Sequence, residues 1–516
     1  MPSNWFQKPL RLPRVPHSME DMSHNFKTTS KFGLLTPVAI EEVVPSDQTK
    51  VYKPFAYVRL SPLQYPIMHQ IHCRIHTFEV PYRIILGDKN YQDWLNAKFD
   101  LPTIEVDWAP GDTALPAYDI FTTLGYPRVA DAGPGDVIYY LDNGLDFLSL
   151  LVIWRDWYAD SQINSTQMAV VDGIIENYQG YVEARESTFR IHYFSILNEL
   201  YCAMPKDYFT SARPEPQYGD PVNLTSSPTK FNLSDDNSSG GGTVISESSG
   251  VGKAKLIVDD SDLMPELTLD LTIRELWRRE QIQKYWDTTN TFGSRTREWI
   301  AGHMGIIFPD DRLMIPRLLQ TVDKTVSISE VLQTSATEVG SPLGAYAGKG
   351  TLALAGRSFR RLYVEHGFVI SLLSLVPESG YANSRPRYQF KKNIFDFAIP
   401  EFNNIGYQEI YEGEIYGKSV SPKEPWAYVP RFSEYRTHPN RCSNGFSDDE
   451  TLLNFHCNRA FDDVPGLNPS FLSADQDQFY RIFSDKSADM DSFLIDFGVV
   501  HKMWRPVTYQ PESMHL

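Results

Sequence analysis

Residues 71–78 read IHCRIHTF, and apolar and polar side chains alternate along the stretch. Because successive side chains of a β-strand point to opposite faces, this period of two predicts a strand with one buried and one polar face. Strand-like stretches also occur at residues 38–44 and 55–60, with prolines between them. Strands separated by short Pro and Gly turns, without intervening helices, predict an antiparallel sandwich or barrel.

Another strand signal lies near the far end of the chain, where residues 493–500 read FLIDFGVV. Their partly alternating and partly continuous apolar pattern predicts a strand inside a sheet. Residues 363–375 form a further apolar stretch with strand character. We therefore expect both ends of the chain to share one core, so that residues 26–516 make a single discontinuous domain with large insertions.

The composition agrees with a mainly β protein. Of 516 residues, 42% are hydrophobic and 13% aromatic, and the chain has 35 prolines and 31 glycines. This excludes a disordered or collagenous chain. The 48 basic and 65 acidic residues give a formal net charge of −17. A protein that coats nucleic acid with its whole surface needs the opposite sign, so any such contact must be a local patch or involve another, basic protein.

Three segments interrupt the strand pattern. Residues 145–160 (LDFLSLLVIWRDWYAD) are apolar on most sides, which indicates a helix enclosed by protein. A second helix is expected to begin at Thr272, because Thr272 and Glu275 have the spacing of a capping box. This helix is expected to be amphipathic and to pack through one face. Residues 218–262 are rich in Ser, Thr, Asn, Asp and Gly, which predicts a polar loop insertion at the surface.

The cysteines and apolar stretches bear on location. Four cysteines in so long a chain, with no charged-then-apolar leader after Met1, favour synthesis in a reducing cytoplasm. The longest apolar stretches, residues 147–154 and 368–376, fall well short of the ~20 residues that span a bilayer. We therefore expect no membrane insertion.

No motif for catalysis or cofactor binding stands out. The glycines around Lys349 lack the spacing of a phosphate-binding loop, and no GxSxG or HExxH sequence occurs. His438, Cys442, His456 and Cys457 could meet across a loop as a zinc site, although adjacent residues rarely both bind one ion. We predict no catalytic residue, no cofactor and no metal ligand.

Basic residues in two parts of the chain are candidates for nucleic-acid contact. Residues 1–25 form a basic, extended N-terminal arm with prolines between its cations. Farther along, arginines interleave with aromatic residues, as on a surface that binds single strands. A solvated leader and a surface rich in salt bridges are the alternatives. The candidates are Lys8, Arg11 and Arg14 in the arm, and Arg357, Arg360 and Arg361 farther along. A similar cluster contains Arg385, Arg387, Lys391 and Lys392.

Several short blocks occur in one order along the chain, from about residue 24 to residue 506. They include HNFKTT at 24–29, LVIWRDWYAD at 151–160, KDYFTS at 206–211, SRTR at 294–297, SEYR at 433–436 and RP at 505–506. In this order the blocks resemble the major capsid proteins of the microviruses, the small tailless single-stranded DNA phages, and especially those of the gokushoviruses. Residues 218–262 have no matching text in that family.

The resemblance implies a viral-capsid type eight-stranded antiparallel jelly roll with long loop and helical insertions. Sixty copies would close a T=1 icosahedral shell around circular single-stranded DNA, without catalysis. The implied partners are copies of the chain itself, a small basic DNA-packaging protein, other virion proteins, the genome on the inner surface and the host cell surface. The protein would lie in the virion capsid after assembly in the host cytoplasm.

By the same resemblance, the loop of residues 218–262 would lie on the outer surface and touch the host. The candidate host-contact residues are Asn237, Ser238, Ser239, Gly240, Gly241 and Gly242. One competing class is a β-sandwich carbohydrate-binding or glycoside-cleaving protein, which would run as a small oligomer. A sheath or tail protein would instead form open helical tubes.

Overall fold

The computed structural model describes residues 15–108, 119–129, 133, 135–192, 200–218, 273–307, 314–332, 346–403, 405–448, 451–475, 478–485 and 491–507. In this part of the chain strands outweigh helices, and most of the strand pairs are antiparallel. The prediction of a mainly β protein is confirmed.

The strands are β1 (Ser18–Asp21), β2 (His24–Ser30), β3 (Thr36–Val43), β4 (Gln48–Leu60), β5 (Ile71–Pro81), β6 (Thr103–Asp107), β7 (Val137–Leu141), β8 (Thr188–His192), β9 (Arg317–Thr325), β10 (Ser327–Leu332), β11 (Tyr346–Ala355), β12 (Phe359–Leu362), β13 (Gly367–Pro377), β14 (Tyr407–Tyr411), β15 (Pro425–Pro430) and β16 (Phe493–Arg505).

The helices are α1 (Tyr82–Leu86), α2 (Asp88–Leu95), α3 (Ile120–Leu124), α4 (Leu145–Ile153), α5 (Ser165–Ala184), α6 (Ile273–Phe292), α7 (Thr296–Met304), α8 (Glu412–Ile415), α9 (Gly445–Asp448) and α10 (Pro469–Leu472).

The largest sheet, sheet 1, has seven strands that all pair antiparallel. β16 lies in its interior, with β4 along one edge and β1 and β2 sharing the other. β11 and β12 pair with the far edge of β4, and β10 pairs with β11. Since β2 is early in the chain and β16 is late, both ends meet in one sheet, as residues 493–500 predict.

Sheet 2 has four antiparallel strands in the order β3, β13, β5 and β9. The decisive stretch, residues 71–78, lies in β5, which is an interior strand of this sheet. Its alternating pattern holds through Ile75: the apolar residues are buried and the intervening polar residues are partly exposed. The strand predicted there is confirmed.

The two sheets pack against each other around a shared apolar core. Tyr52 and Val58 of β4 are buried from sheet 1, and Ile75 and Phe78 of β5 are buried from sheet 2. Burying one side chain of this size stabilises the fold by about 1.5–3 kcal/mol. The Tyr52 hydroxyl lies 2.7 Å from the Ser371 hydroxyl of β13, so these buried polar groups satisfy each other between the sheets.

A helical region with a third sheet adjoins this core. The predicted enclosed helix is confirmed as α4, all of whose residues except Asp146 are buried, and it continues as a π-helical turn over Trp154–Tyr158. In the third sheet β6 pairs antiparallel with β7 but parallel with β8. That parallel pair differs from the wholly antiparallel expectation, because a long connection that contains β7 and helices α3, α4 and α5 separates β6 and β8.

Helix α5 was not predicted from the sequence. Its buried residues nevertheless recur at helical spacing. They are Val171, Ile174, Ile175, Tyr178 and Val182. The second predicted helix is present as α6, but its first half exposes Leu276 and Trp277. Within the described residues, burial in α6 is confined to its C-terminal end, at Thr289 and Asn290.

A smaller core lies around the hairpin of β14 and β15. Ile410, Ala427 and Val429 of the hairpin are buried together with Phe209 and Tyr381. Through Tyr381, this smaller core anchors the segment between β13 and β14, which carries Arg385 and Lys391.

Candidate nucleic-acid interface

The structure separates the three arginines predicted at 357–361. Arg357 and Arg360 are exposed, whereas Arg361 turns inward to an ion pair with Glu79 of β5, with Nε 2.8 Å from Oε2. The Glu79 side chain is only 9% exposed. Because a buried carboxylate needs a charged partner, Arg361 serves the contact between the two sheets. Residues 360 and 361 differ because adjacent strand residues face opposite sides.

The remaining predicted contacts belong to the N-terminal arm and to the loop of residues 218–262. Lys8, Arg11, Arg14, Asn237, Ser238, Ser239, Gly240, Gly241 and Gly242 all lie outside the described residues. Of the predicted set, the structure describes Arg357, Arg360 and Arg361, and of these only Arg357 and Arg360 are exposed.

Sheet 1 has a basic and aromatic face on the side turned away from sheet 2, here called its outer face, which was not predicted from the sequence. Along β4, the exposed residues are Lys53, Phe55, Tyr57 and Arg59, and the residues between them are buried. Phe55 is 40% and Tyr57 46% exposed, although both rings are large and apolar. Because successive side chains of a strand face opposite sides, the cations and rings of β4 share one face.

The neighbouring strand β16 extends this face. Lys502 and Trp504 are exposed on it, and the ammonium of Lys50 lies 4.5 Å from the centroid of the Trp504 ring. This cation–π contact fixes one face of the indole against the sheet. On β2, Lys27 lies opposite Asp496 in register.

One glycine shapes the surface. Gly498 of β16 lies opposite Phe55, and a Cβ atom at this position would collide with the Phe55 ring and with the Asn25 side-chain oxygen. Glycine therefore lets the Phe55 ring lie across the backbone of the next strand. The ring is held on the sheet and keeps part of its surface open to solvent.

The outer face of sheet 1 is positive although the chain is negative. Among the described residues the register places seven cations on it and two carboxylates. The cations are Lys27, Lys50, Lys53, Arg59, Lys349, Arg360 and Lys502; the carboxylates are Asp21 and Asp496. A hydrogen bond from the Ser23 hydroxyl, helped by Lys502, holds the pKa of Asp21 below its usual value. This carboxylate is therefore ionised and offsets part of the positive charge.

The described residues do not assemble a metal site. No group of three or more His, Cys, Asp and Glu side chains that could hold a metal occurs among them. Burial raises the pKa of the Cys457 thiol to about 12, and His456 Nε2 lies 2.8 Å from the Phe446 carbonyl oxygen. In the same part of the chain, no helix is both long and apolar enough to cross a membrane.

Cations interleaved with exposed rings on one face of a sheet can bind a single-stranded nucleic acid. The cations attract the phosphates, and the rings offer surfaces on which bases stack without regard to sequence. The part of this face that belongs to β4 could have been predicted from residues 53–59 (KPFAYVR), where Lys, Phe, Tyr and Arg alternate with apolar residues. The contribution of β16 was hidden, because its pairing with β4 joins residues more than 400 positions apart.

Comparison with known proteins gives a consistent result. The sequence model of a family described as "Capsid protein (F protein)" matches residues 11–513. The chain is 25% identical to capsid protein VP1 of Bdellovibrio phage phiMH2K, over 97% of this chain and 96% of that protein. It is 24% identical to capsid protein VP1 of Chlamydia phage 1, over 96% and 94% of the two chains.

A third relative is capsid protein VP1 of Spiroplasma virus 4, 24% identical over 88% of this chain and 86% of that protein. These matches confirm the resemblance to microvirus capsid proteins. The chain is a structural major capsid protein and belongs to the Capsid protein (F protein) family.

Proposed function

We propose that sixty copies of the chain assemble into a closed T=1 icosahedral shell around circular single-stranded DNA, and that the chain performs no catalysis. The observation that carries this proposal is the family match over residues 11–513. Copies assemble through repeated contacts related by symmetry, which is how most homo-oligomers close. The shell is formed in the host cytoplasm and becomes the virion capsid.

The fold we propose for the shell subunit is an eight-stranded jelly roll. Its two rows are β2, β16, β4 and β11 in sheet 1, and β3, β13, β5 and β9 in sheet 2. Taken in chain order, these eight strands cross from one sheet to the other at every connection except that between β5 and β9. This crossing supports a jelly roll, in which the chain wraps around a double sheet.

The proposed domain plan follows from the same arrangement. Residues 26–516 form one discontinuous jelly-roll domain, residues 1–25 a basic extended arm, and residues 218–262 a loop on the outer surface. The pairing of β2 and β4 with β16 supports a single domain. The loop, including residues 237–242, contacts the host cell.

Exposed apolar side chains support self-association. Ile394, Phe395 and Ile405 are each more than half exposed in the single chain. Large apolar side chains left this exposed suit an interface with another protein copy if they share one surface. We propose that neighbouring copies cover it in the shell.

The outer face of sheet 1 is proposed to face the genome. Its excess of cations and its exposed rings suit a single strand. Arg357 and Arg360 contribute at its edge, Lys8, Arg11 and Arg14 reach the DNA from the arm, and Arg361 supports the fold beneath. Because the whole chain carries −17, a small basic DNA-packaging protein supplies further positive charge, alongside other virion proteins.

Particle mass tests this function. Sixty copies of a 59.0 kDa chain make a shell of about 3.5 MDa. The chain, expressed with its partner virion proteins, is expected to sediment as such a particle and to appear spherical in negative stain. A discrete small oligomer, as expected of a sandwich enzyme or lectin, would contradict the proposal, and so would open tubes.

A further inference from the structure

A cavity of about 440 Å³ lies beside the smaller core, lined by residues of the segment between β13 and β14, by Glu414 of α8 and by residues that follow β15. Its size is within the usual range for small-molecule sites. Its cationic and aromatic lining includes Arg385, Arg387, Tyr388, Lys391, Tyr435 and Arg441. The sequence cluster at residues 385–392 is thus part of a concave site, separate from the face of sheet 1.

Both carboxylates in the cavity are already bound by cations. Glu414 is buried, accepts a hydrogen bond from Arg387 Nη1 at 2.5 Å, and accepts another from the Tyr208 hydroxyl at 3.0 Å. Glu434 accepts one from Lys391 Nζ at 2.7 Å. Although burial disfavours its ionised form, hydrogen bonding that includes Lys391 keeps the pKa of Glu434 below its usual value. These two pairs build the site and leave its other cations available.

Two guanidinium groups line the cavity without an ion pair among the described residues, those of Arg385 and Arg441. Arg385 is held in place by its neighbours: its guanidinium lies 4.6 Å from the Phe390 ring centroid, and its Nε donates to Gln389 Oε1 at 3.3 Å. Arg441 is exposed. A planar guanidinium binds phosphate with two parallel hydrogen bonds, so this pair suits a phosphate.

Aromatic rings line the same cavity. Tyr388 is 63% exposed, and Phe397 and Tyr435 are also exposed. Lys391 Nζ lies 4.1 Å from the centroid of Tyr435 and donates to its hydroxyl at 3.0 Å, which fixes that ring. Exposed rings beside arginines offer a planar ligand a stacking surface. An acidic peptide would satisfy the arginines but would leave these rings unused.

We propose that this cavity binds one nucleotide of a single-stranded nucleic acid, with the phosphate at Arg385 and Arg441 and the base against the aromatic rings. The identity of the strand as packaged genome rests on the proposed shell function. The nucleotide-binding chemistry of the cavity does not rest on that function. It follows from the two arginines that lack an ion pair among the described residues, from the paired carboxylates and from the aromatic rings.

Calorimetry on the unassembled full-length chain tests the site with three probes: deoxyadenosine monophosphate, deoxyadenosine and inorganic phosphate. The monophosphate is expected to bind at least about 5-fold more tightly than either fragment, since it makes both the ionic and the stacking contact. Equal binding of inorganic phosphate would reduce the site to an anion site and overturn the proposal. Lack of binding by the monophosphate would also overturn it.

Substitutions locate the binding. Arg385→Ala and Tyr388→Ala should each weaken monophosphate binding at least about 5-fold, whereas Tyr388→Phe should retain it. Arg436→Ala is the matched control, because Arg436 is exposed nearby but does not line the cavity. An equal loss in the control would overturn the assignment, with melting curves confirming that every variant is folded.

The two proposals fail in different ways. Particles that form from a chain unable to bind the monophosphate would contradict the cavity proposal alone. A chain that binds the monophosphate through Arg385 and Tyr388 but never forms a closed particle would contradict the proposed shell function alone.

Discussion

Replacing Phe55 or Lys53 on the outer face of sheet 1 should weaken binding of single-stranded DNA in two distinguishable ways. Phe55 is 40% exposed and is held over Gly498, so its ring can stack on one base. Loss of one such contact costs about 1–3 kcal/mol, which is about a 5- to 150-fold rise in Kd. Lys53 contributes charge instead, so Lys53→Ala should reduce the slope of log K against log salt by about 0.7.

The assay is fluorescence anisotropy of a labelled oligothymidine with the unassembled full-length chain, between about 50 and 200 mM salt. Phe55→Ala should raise the Kd at every salt concentration and leave the slope unchanged. Tyr140→Ala and Lys423→Ala are matched controls: both residues are exposed, and neither lies in sheet 1. The reasoning is refuted if Phe55→Ala and Lys53→Ala bind as the unaltered chain does, or if the controls lose as much.

Three further outcomes are expected. Arg361→Ala should destabilise the chain by about 1.5–3 kcal/mol, because it removes a charged hydrogen bond to a buried carboxylate. Replacement of the exposed Arg360 by Ala should change the stability by less than about 0.5 kcal/mol. Similar urea midpoints for the two variants would contradict this prediction. Gly498→Ala should destabilise the chain by about 1–3 kcal/mol, because the added methyl group overpacks the sheet. Gly180→Ala should stabilise the chain by about 0.5–1 kcal/mol, because Gly180 lies in α5 with open space around it. A loss of stability at Gly180 as large as that at Gly498 would contradict the steric explanation. Deletion of residues 225–252 should leave the particle yield unchanged but reduce the adsorption of particles to host cells. Loss of particles would show that the loop is structural.

Local pattern was enough to predict the main strands. The alternation at residues 71–78 and the apolar run at 493–500 give β5 and β16, and the apolar helix at 145–160 is found as α4. These elements are recognisable because alternation indicates a strand with one buried face, whereas a segment that is apolar on most sides indicates an element enclosed by protein.

Contacts between distant parts of the chain could not be predicted in the same way. The partner of Arg361 is Glu79, 282 positions away, and only the pairing of the sheets brings the two together. For the same reason an arginine triplet that looks uniform in sequence is divided between a buried ion pair and an exposed surface. The parallel pair of β6 and β8 depends on the path of the intervening helices.

The most direct test of the account is an icosahedral reconstruction of the assembled particle by electron cryo-microscopy. We predict a closed shell of sixty copies in which Lys53, Tyr57 and Lys502 of sheet 1 face the interior and the loop of residues 218–262 lies outside. An open helical tube, a small oligomer, or a closed shell with that face of sheet 1 turned outward would contradict the account.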